Sequence, residues 1–195
     1  NTRSRGLGDV YKRQEMDSHY YTAYCHQKLL NGLPNAKIKD SERLVNWVRL
    51  VKSDAEIKLM NIASQITVLG MKTAFEVINP GVRQCDAVAK IYSTLISGTK
   101  NHGGDYSSIV PLLPTGKGTS ASHLTWSDDE FTQGEASIIE ISGVYKKYHC
   151  PMARTVLLGK PDQKKIDTMK KTREALEAGI DAVSYTHLRA HETAY

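Results

Sequence analysis

Long apolar runs, paired cysteines and internal repeats are all missing from this 195-residue sequence. No apolar stretch approaches the ~18 residues a membrane span needs, and no charged leader runs into an apolar segment. A spanning helix and a secretory signal are therefore not expected. Only three cysteines occur, Cys25, Cys85 and Cys150, far apart and without a CxxC spacing. They read as free thiols in a reducing compartment, so the expected location is the cytoplasm. No low-complexity tract is present either. With 40% apolar and 24% charged residues, the chain can build a packed core.

The formal net charge of +5 depends on the ends. Residues 1–14 (NTRSRGLGDVYKRQ) hold four bases and one acid without apolar periodicity. Residues 183–195 (VSYTHLRAHETAY) interrupt a clean helical pattern and hold one charge of each sign. Both resemble translated adapter sequence and are set aside, leaving residues 15–182 as an internal fragment with a charge of +2. No basic footprint for nucleic acid survives.

Periodicity predicts helices over residues 18–30, over the segment holding Leu44, Val45, Trp47, Val48 and Val51, and from Ser53 to Asn79-Pro80-Gly81. A short strand is expected at residues 36–39, with Asp40-Ser41 capping the helix that follows. Ser53 and Glu56 form a capping box. The helix they start carries an inward stripe of Ile57, Met60, Ala63, Ile66, Gly70 and Ala74. Residues 84–97 give another helix, with Val88, Ile91, Tyr92 and Leu95 inward and Gly98 as its stop. Beyond Gly103 the period shortens. Residues 107–113 read as a short apolar run ended by Pro114, residues 136–143 and 153–158 as β-branched strand runs joined by a loop-and-strand piece at 144–152, and residues 161–182 as a last helix. Its lysine pairs, Lys164-Lys165 and Lys170-Lys171, read as a solvated face. Helices followed by antiparallel strands define an α+β class.

Polar residues inside apolar strands are where chemistry is expected. Glu140 interrupts Ile138-Ile139 and Ile141, where a carboxylate must find a partner, shift its pKa or open onto a site. A strand-end glutamate facing water is the alternative. His123 follows a flexible loop and precedes Trp126. Tyr148, His149, Cys150 and Arg154 cluster further on, and an arginine in a strand suggests an anion partner. His102-Gly103-Gly104-Asp105 reads as a tight turn. Gly116-Lys117-Gly118 lacks the spacing and context of a phosphate loop.

The stretch EISGVYKKYHCPMART, residues 140–155, resembles the central signature of the creatinase and aminopeptidase P superfamily, the pita-bread fold. In its metal-dependent members a first Asp is followed eleven positions on by a second, near an Arg-Thr end, and a His lies seventeen residues upstream. His123, Arg154 and Thr155 fit that pattern, but Glu140 stands at the first Asp position and Pro151 at the second. Two bridging carboxylates hold paired ions in such hydrolases, and a proline cannot. The resemblance therefore points to the metal-free branch. Within it, His102 to Tyr106, Ile109 to Pro114, HLTW at 123–126, Glu140-x-x-Gly143, YHCP at 148–151 and the run from Arg154 to Pro161 are similar to the ectoine hydrolases.

That resemblance implies an α+β architecture. Residues 15–52 would end a smaller α/β N-terminal domain, and residues 53–182 would form the first part of a pita-bread domain. A half-sheet exposes an edge and an apolar face, so the fragment alone is expected to be inactive and prone to aggregate. The resemblance further implies hydrolytic ring opening of the cyclic amidine ectoine, without metal or other cofactor, in a cytoplasmic homodimer that binds neither nucleic acid nor membrane. Glu140 would be nucleophile or base, and His123 would carry a proton. Arg154 would hold the substrate carboxylate or an ion pair behind Glu140. Trp126 and Tyr148 would wall the ring or pack in the core, and Cys150 would be structural. The competing readings are a metal-dependent Xaa-Pro aminopeptidase, a creatinase and a non-catalytic binding module of the same fold.

Overall fold

The computed structural model describes residues 11–184. The chain divides into two compact units between Ile57 and Lys58, within the first turn of a long helix.

In the first unit, β1 (Tyr11–Gln14) pairs in parallel with β2 (Lys37–Asp40), and α1 (Ala23–Gly32) connects them. The last four of the fourteen leading residues set aside above thus enter a strand, because their backbone finds a partner in residues 37–40. The first ten lie outside the described residues. Helix α1 starts later than its aromatic content suggests, since the Thr22 hydroxyl accepts the Cys25 N–H at 3.2 Å and caps the helix there. Asp40 does not cap α2 (Leu44–Leu50). Its carboxylate accepts the Glu42 N–H at 3.0 Å, and the helix begins at Arg43 in the left-handed region with no side-chain cap. Leu44, Val45, Trp47, Val48 and Val51 are all more than half exposed.

The second unit is built on α3 (Asp54–Val77), α4 (Gln84–Ser97) and a hairpin of β3 (Ala136–Tyr145) and β4 (Tyr148–Leu157). The capping box forms as expected. Glu56 accepts the Ser53 N–H at 2.7 Å, and the Ser53 hydroxyl accepts the Glu56 N–H at 3.4 Å. Helix α4 runs over its expected residues and ends at Gly98, φ +69°, where a Cβ would collide with the His102 carbonyl. The hairpin turns on Lys146-Lys147, both at positive φ, a two-residue geometry that matches the twist of the strands. β4 is therefore longer than its apolar run. Residues 107–111 are not a strand. Only from Leu112 does this segment join the sheet, through pairings of Leu112 with Glu140 and of Thr115 with Ser137. Helix α5 (Gln163–Ser184) extends two residues into the tail set aside above, and its paired lysines are exposed. Residues 185–195 lie outside the described residues. No described helix is long and apolar enough to cross a membrane.

Strand alternation sorts β3 into two faces. Ser137, Ile139 and Ile141 are buried with Ile66, Met71 and Ala74 of α3 and Val88, Ile91 and Leu95 of α4. The stripe on α3 is shifted from expectation. Ile57 is exposed, whereas Thr67 and Met71 are buried. Gly70 lets Leu95 and Ile141 approach, since a Cβ there would lie 2.5 Å from the Leu95 side chain.

Thr67 is the tightest of these contacts. Its hydroxyl accepts the Gly143 N–H at 2.9 Å and donates to the Cys150 carbonyl at 2.6 Å, with the Ala63 carbonyl at 3.0 Å. Gly143 and Cys150 are register partners, so one buried hydroxyl joins both strands to the helix. A side chain at Gly143 would meet the Ala63 carbonyl and the Thr67 nitrogen, each at 2.5 Å. Thr67→Val preserves shape but strands a buried donor and a buried acceptor. We expect it to destabilise the second unit by roughly 1–3 kcal/mol and Thr67→Ser by less, read from urea denaturation midpoints.

Candidate active site

On the face of β3 away from the helices stand Ile138, Glu140 and Ser142. Register places Thr155, Ala153 and Pro151 opposite them on β4. Residues 112 and 114 join the same face from the other side. Glu140 is fixed by both of its backbone groups. It donates N–H to the Leu112 carbonyl at 3.0 Å and accepts the Leu112 N–H at 2.9 Å. Leu113 donates in turn to the Leu124 carbonyl at 3.2 Å, which lays the 123–124 segment beside this ladder.

The result is that His123 Nε2 lies 3.5 Å from Glu140 Oε2. The glutamate side chain is 28% exposed and the histidine 72%, so a half-sunk carboxylate meets an imidazole open to water. His123 holds φ at +60°, a left-handed conformation that histidine tolerates better than most residues. The two residues singled out for acid–base chemistry are thus brought together.

The others are not brought to that pair. Arg154 is the register partner of Ile139, on the opposite face of the ladder from Glu140. It is exposed, and its guanidinium donates to the Ala153 carbonyl at 2.7 Å. Neither a buried ion pair with Glu140 nor a position beside it follows from this geometry. Tyr148 pairs with Tyr145 at the far end of the hairpin. Trp126 is half-buried, packs on the core and lines a cleft of about 740 Å³ that includes neither Glu140 nor His123. Cys150 is a free thiol, as are Cys25 and Cys85.

Gln84 was not anticipated. It is buried, and its Oε1 accepts the Ser127 N–H at 3.0 Å. The Ser127 and Asp129 carbonyls accept the Cys85 and Gln84 N–H groups at 3.1 and 2.9 Å. The loop after Trp126 therefore satisfies the open N-terminus of α4. A polar residue at a helix start was the available signal.

His149 also makes contacts the sequence did not show. Its Nε2 accepts the Ser108 N–H at 3.1 Å and its Nδ1 donates to the Lys147 carbonyl at 2.9 Å, which requires the neutral ring. Nearby, Lys147 Nζ lies 2.8 Å from Asp105 and 3.9 Å from the centre of the Tyr106 ring. The turn at His102-Gly103-Gly104-Asp105 is thereby tied to the hairpin, and the Asp105 N–H donates to the Val144 carbonyl at 2.9 Å.

Pro151 stands on the Glu140 face, two rungs along the ladder, and offers no side-chain ligand. Among the described residues no group of three His, Cys, Asp or Glu side chains could hold an ion. These residues do not fit a two-ion centre.

The chain belongs to metallopeptidase family M24, whose sequence profile matches residues 58–193. It is 44% identical over 183 residues to the ectoine hydrolase of Halomonas elongata, covering 91% of this chain and 46% of that protein. It is also 44% identical over 169 residues to an uncharacterized hydrolase/peptidase of Sinorhizobium fredii, covering 87% and 43%. The chain thus spans about half the length of the curated relatives it matches. The prolidase of Pyrococcus horikoshii superimposes with a TM-score of 0.76 at 21% identity, over 88% of this chain and 47% of that one. An Escherichia coli aminopeptidase P does so with a TM-score of 0.70 at 23% identity, over 86% and 39%. The second unit is accordingly part of a pita-bread domain.

The Asp105–Lys147 pair gives a pH test of the hairpin. The Lys147 hydrogen bond, then the Tyr106 N–H, holds the Asp105 carboxyl below its usual range. Asp105 raises the Lys147 ammonium above its own. A lowered acid stabilises above its unfolded pKa and loses that effect as pH falls through the folded value. A raised base stabilises below its unfolded pKa and loses that effect as pH rises through the folded value. The stability difference between the protein and Lys147→Met should be flat between the ordinary Asp and Lys ranges and shrink below and above them, in thermal melts against pH.

Proposed function

We propose that the protein of which this chain forms part is an ectoine hydrolase, opening the ring of the cyclic amidine ectoine, or its 5-hydroxy form, to N-acetyl-2,4-diaminobutyrate without a metal ion. The observation that carries the reading is the Glu140–His123 pair on a face where Pro151 supplies no second carboxylate. Identity to the Halomonas elongata enzyme supports the substrate.

The amidinium carbon is electrophilic, and a carboxylate beside it both pairs with the cation and acts on it. With Glu140 as base, water gives it a proton and adds to the carbon. One ring C–N bond then breaks, and the departing nitrogen takes a proton from the His123 imidazolium and leaves as an amine. The remaining hydroxyl loses its proton as the acetamide forms. With Glu140 as nucleophile, the carboxylate adds to the carbon, the ring C–N bond breaks as its nitrogen takes a proton from His123, and water then attacks the glutamyl carbonyl carbon, so that one glutamate oxygen leaves in the acetamide. Oxygen-18 from labelled water entering Glu140 over many turnovers distinguishes the second route from the first. The domain division near residue 53, a homodimer and a cytoplasmic location complete the proposal.

The test uses this chain completed with the parts of the Halomonas elongata enzyme that it does not match. Ectoine should be consumed, creatine and Xaa-Pro dipeptides should not, and exhaustive chelation should leave the rate unchanged. Glu140→Gln should lower kcat by about 10²–10⁴-fold. Turnover that chelation abolishes and divalent ions restore would return the site to the metal-dependent peptidases.

A further inference from the structure

Ectoine carries a carboxylate as well as an amidinium, and Arg154, expected to receive it, stands on the opposite face from Glu140. Among the described residues Arg154 thus does not stand beside the pair, whereas the cleft that Pro114 and Leu124 line does hold a cation. Its walls include Pro114, Lys117, Leu124, Trp126, Asp129 and Glu135. Pro114 lies on the Glu140 face two residues beyond Leu112, a step of about 7 Å. Leu124 directly follows His123. Two walls of the cleft are thus continuations of the two segments that hold Glu140 and His123.

Resting on that reading, we propose that Lys117 receives the substrate carboxylate and so selects zwitterionic cyclic amidines over purely cationic ones. Lys117 is the one cation among the residues lining the cleft. It sits on a 3₁₀ turn (Gly116–Ser120) that holds its own base. The Thr119 hydroxyl donates to the Gly116 carbonyl at 2.8 Å, and the Ser120 hydroxyl to the Lys117 carbonyl at 2.9 Å. Gly116 adopts φ +56°, and a Cβ there would lie 2.6 Å from the Glu135 carboxylate, so the turn packs directly on that side chain.

Three acids, Asp129, Glu130 and Glu135, line the cleft with Lys117, and none of them forms an ion pair with it. The Asp129 carboxylate accepts the Ser127 hydroxyl at 2.8 Å, and no ion pair among the described residues involves Lys117. Its exposed ammonium remains available for a charge-assisted hydrogen bond. Trp126 on the cleft wall presents an aromatic surface to the ring.

The experiment compares ectoine with the same ring lacking its carboxylate, 2-methyl-1,4,5,6-tetrahydropyrimidine, as substrates of the completed enzyme and of its Lys117→Met and Lys117→Arg variants. Lys117→Met should raise KM for ectoine by about 10- to 100-fold with kcat within about twofold. It should leave the kinetics with the carboxylate-free ring unchanged, while Lys117→Arg retains most of the ectoine affinity. An unaltered KM for ectoine in Lys117→Met, or an equal loss on both rings, overturns the assignment of Lys117 while the ring-opening reading stands. An unsubstituted enzyme that consumes neither ring overturns both.

Discussion

One buried hydroxyl decides where the Glu140 carboxylate stands. Thr67 reaches from α3 to both members of a rung, the Gly143 N–H and the Cys150 carbonyl. Glu140 is three residues from one end of that rung, and Pro151 is next to the other. Because side chains alternate across a strand, a slip of one residue would turn Glu140 into the core and bring Ile139 out to solvent. Hydrophobic packing of Ile139 and Ile141 favours the observed register, and the Thr67 hydrogen bonds make it specific. Gly143 is the complement of that contact. Only a residue without a Cβ lets the strand come so close to α3.

The same sheet sets which donors meet on the Glu140 face. Glu140 and Pro151 share a face two rungs apart, and only the first carries a carboxylate. A single carboxylate with a histidine 3.5 Å away is a different device. It suits proton transfer and attack on a cationic carbon, and it lacks the charge needed to hold two divalent ions. The family likeness and this different set of donors are thus compatible. The fold holds the positions, and the residues at those positions set the reaction.

Several local features were legible in the sequence because their causes are local. The Ser53–Glu56 box, the limits of α4 and its Gly98 stop depend on residues within one or two turns. The β3 strand was visible from its β-branched residues, and the meeting of Glu140 and His123 followed from their family spacing. What failed was whatever depended on distant partners. The length of β4 was hidden because Tyr148, His149 and Pro151 do not look like strand residues and are held there by their partners in β3. Residues 107–111 are apolar but enter no described strand. The face of Arg154 needed the register, and Gln84 needed the loop at residues 127–129.

By itself the sequence determined the class of secondary elements, the caps that start and end them, and which residue types were available for chemistry. Propensity, capping and periodicity act over a few residues, so one chain is enough to read them. The tertiary structure decided which face each side chain occupies: Glu140 with His123, Arg154 behind the sheet, and Lys117 on the cleft wall. That choice rests on strand pairing and helix packing between segments as much as 83 residues apart, as from Thr67 to Cys150, and no local preference encodes it.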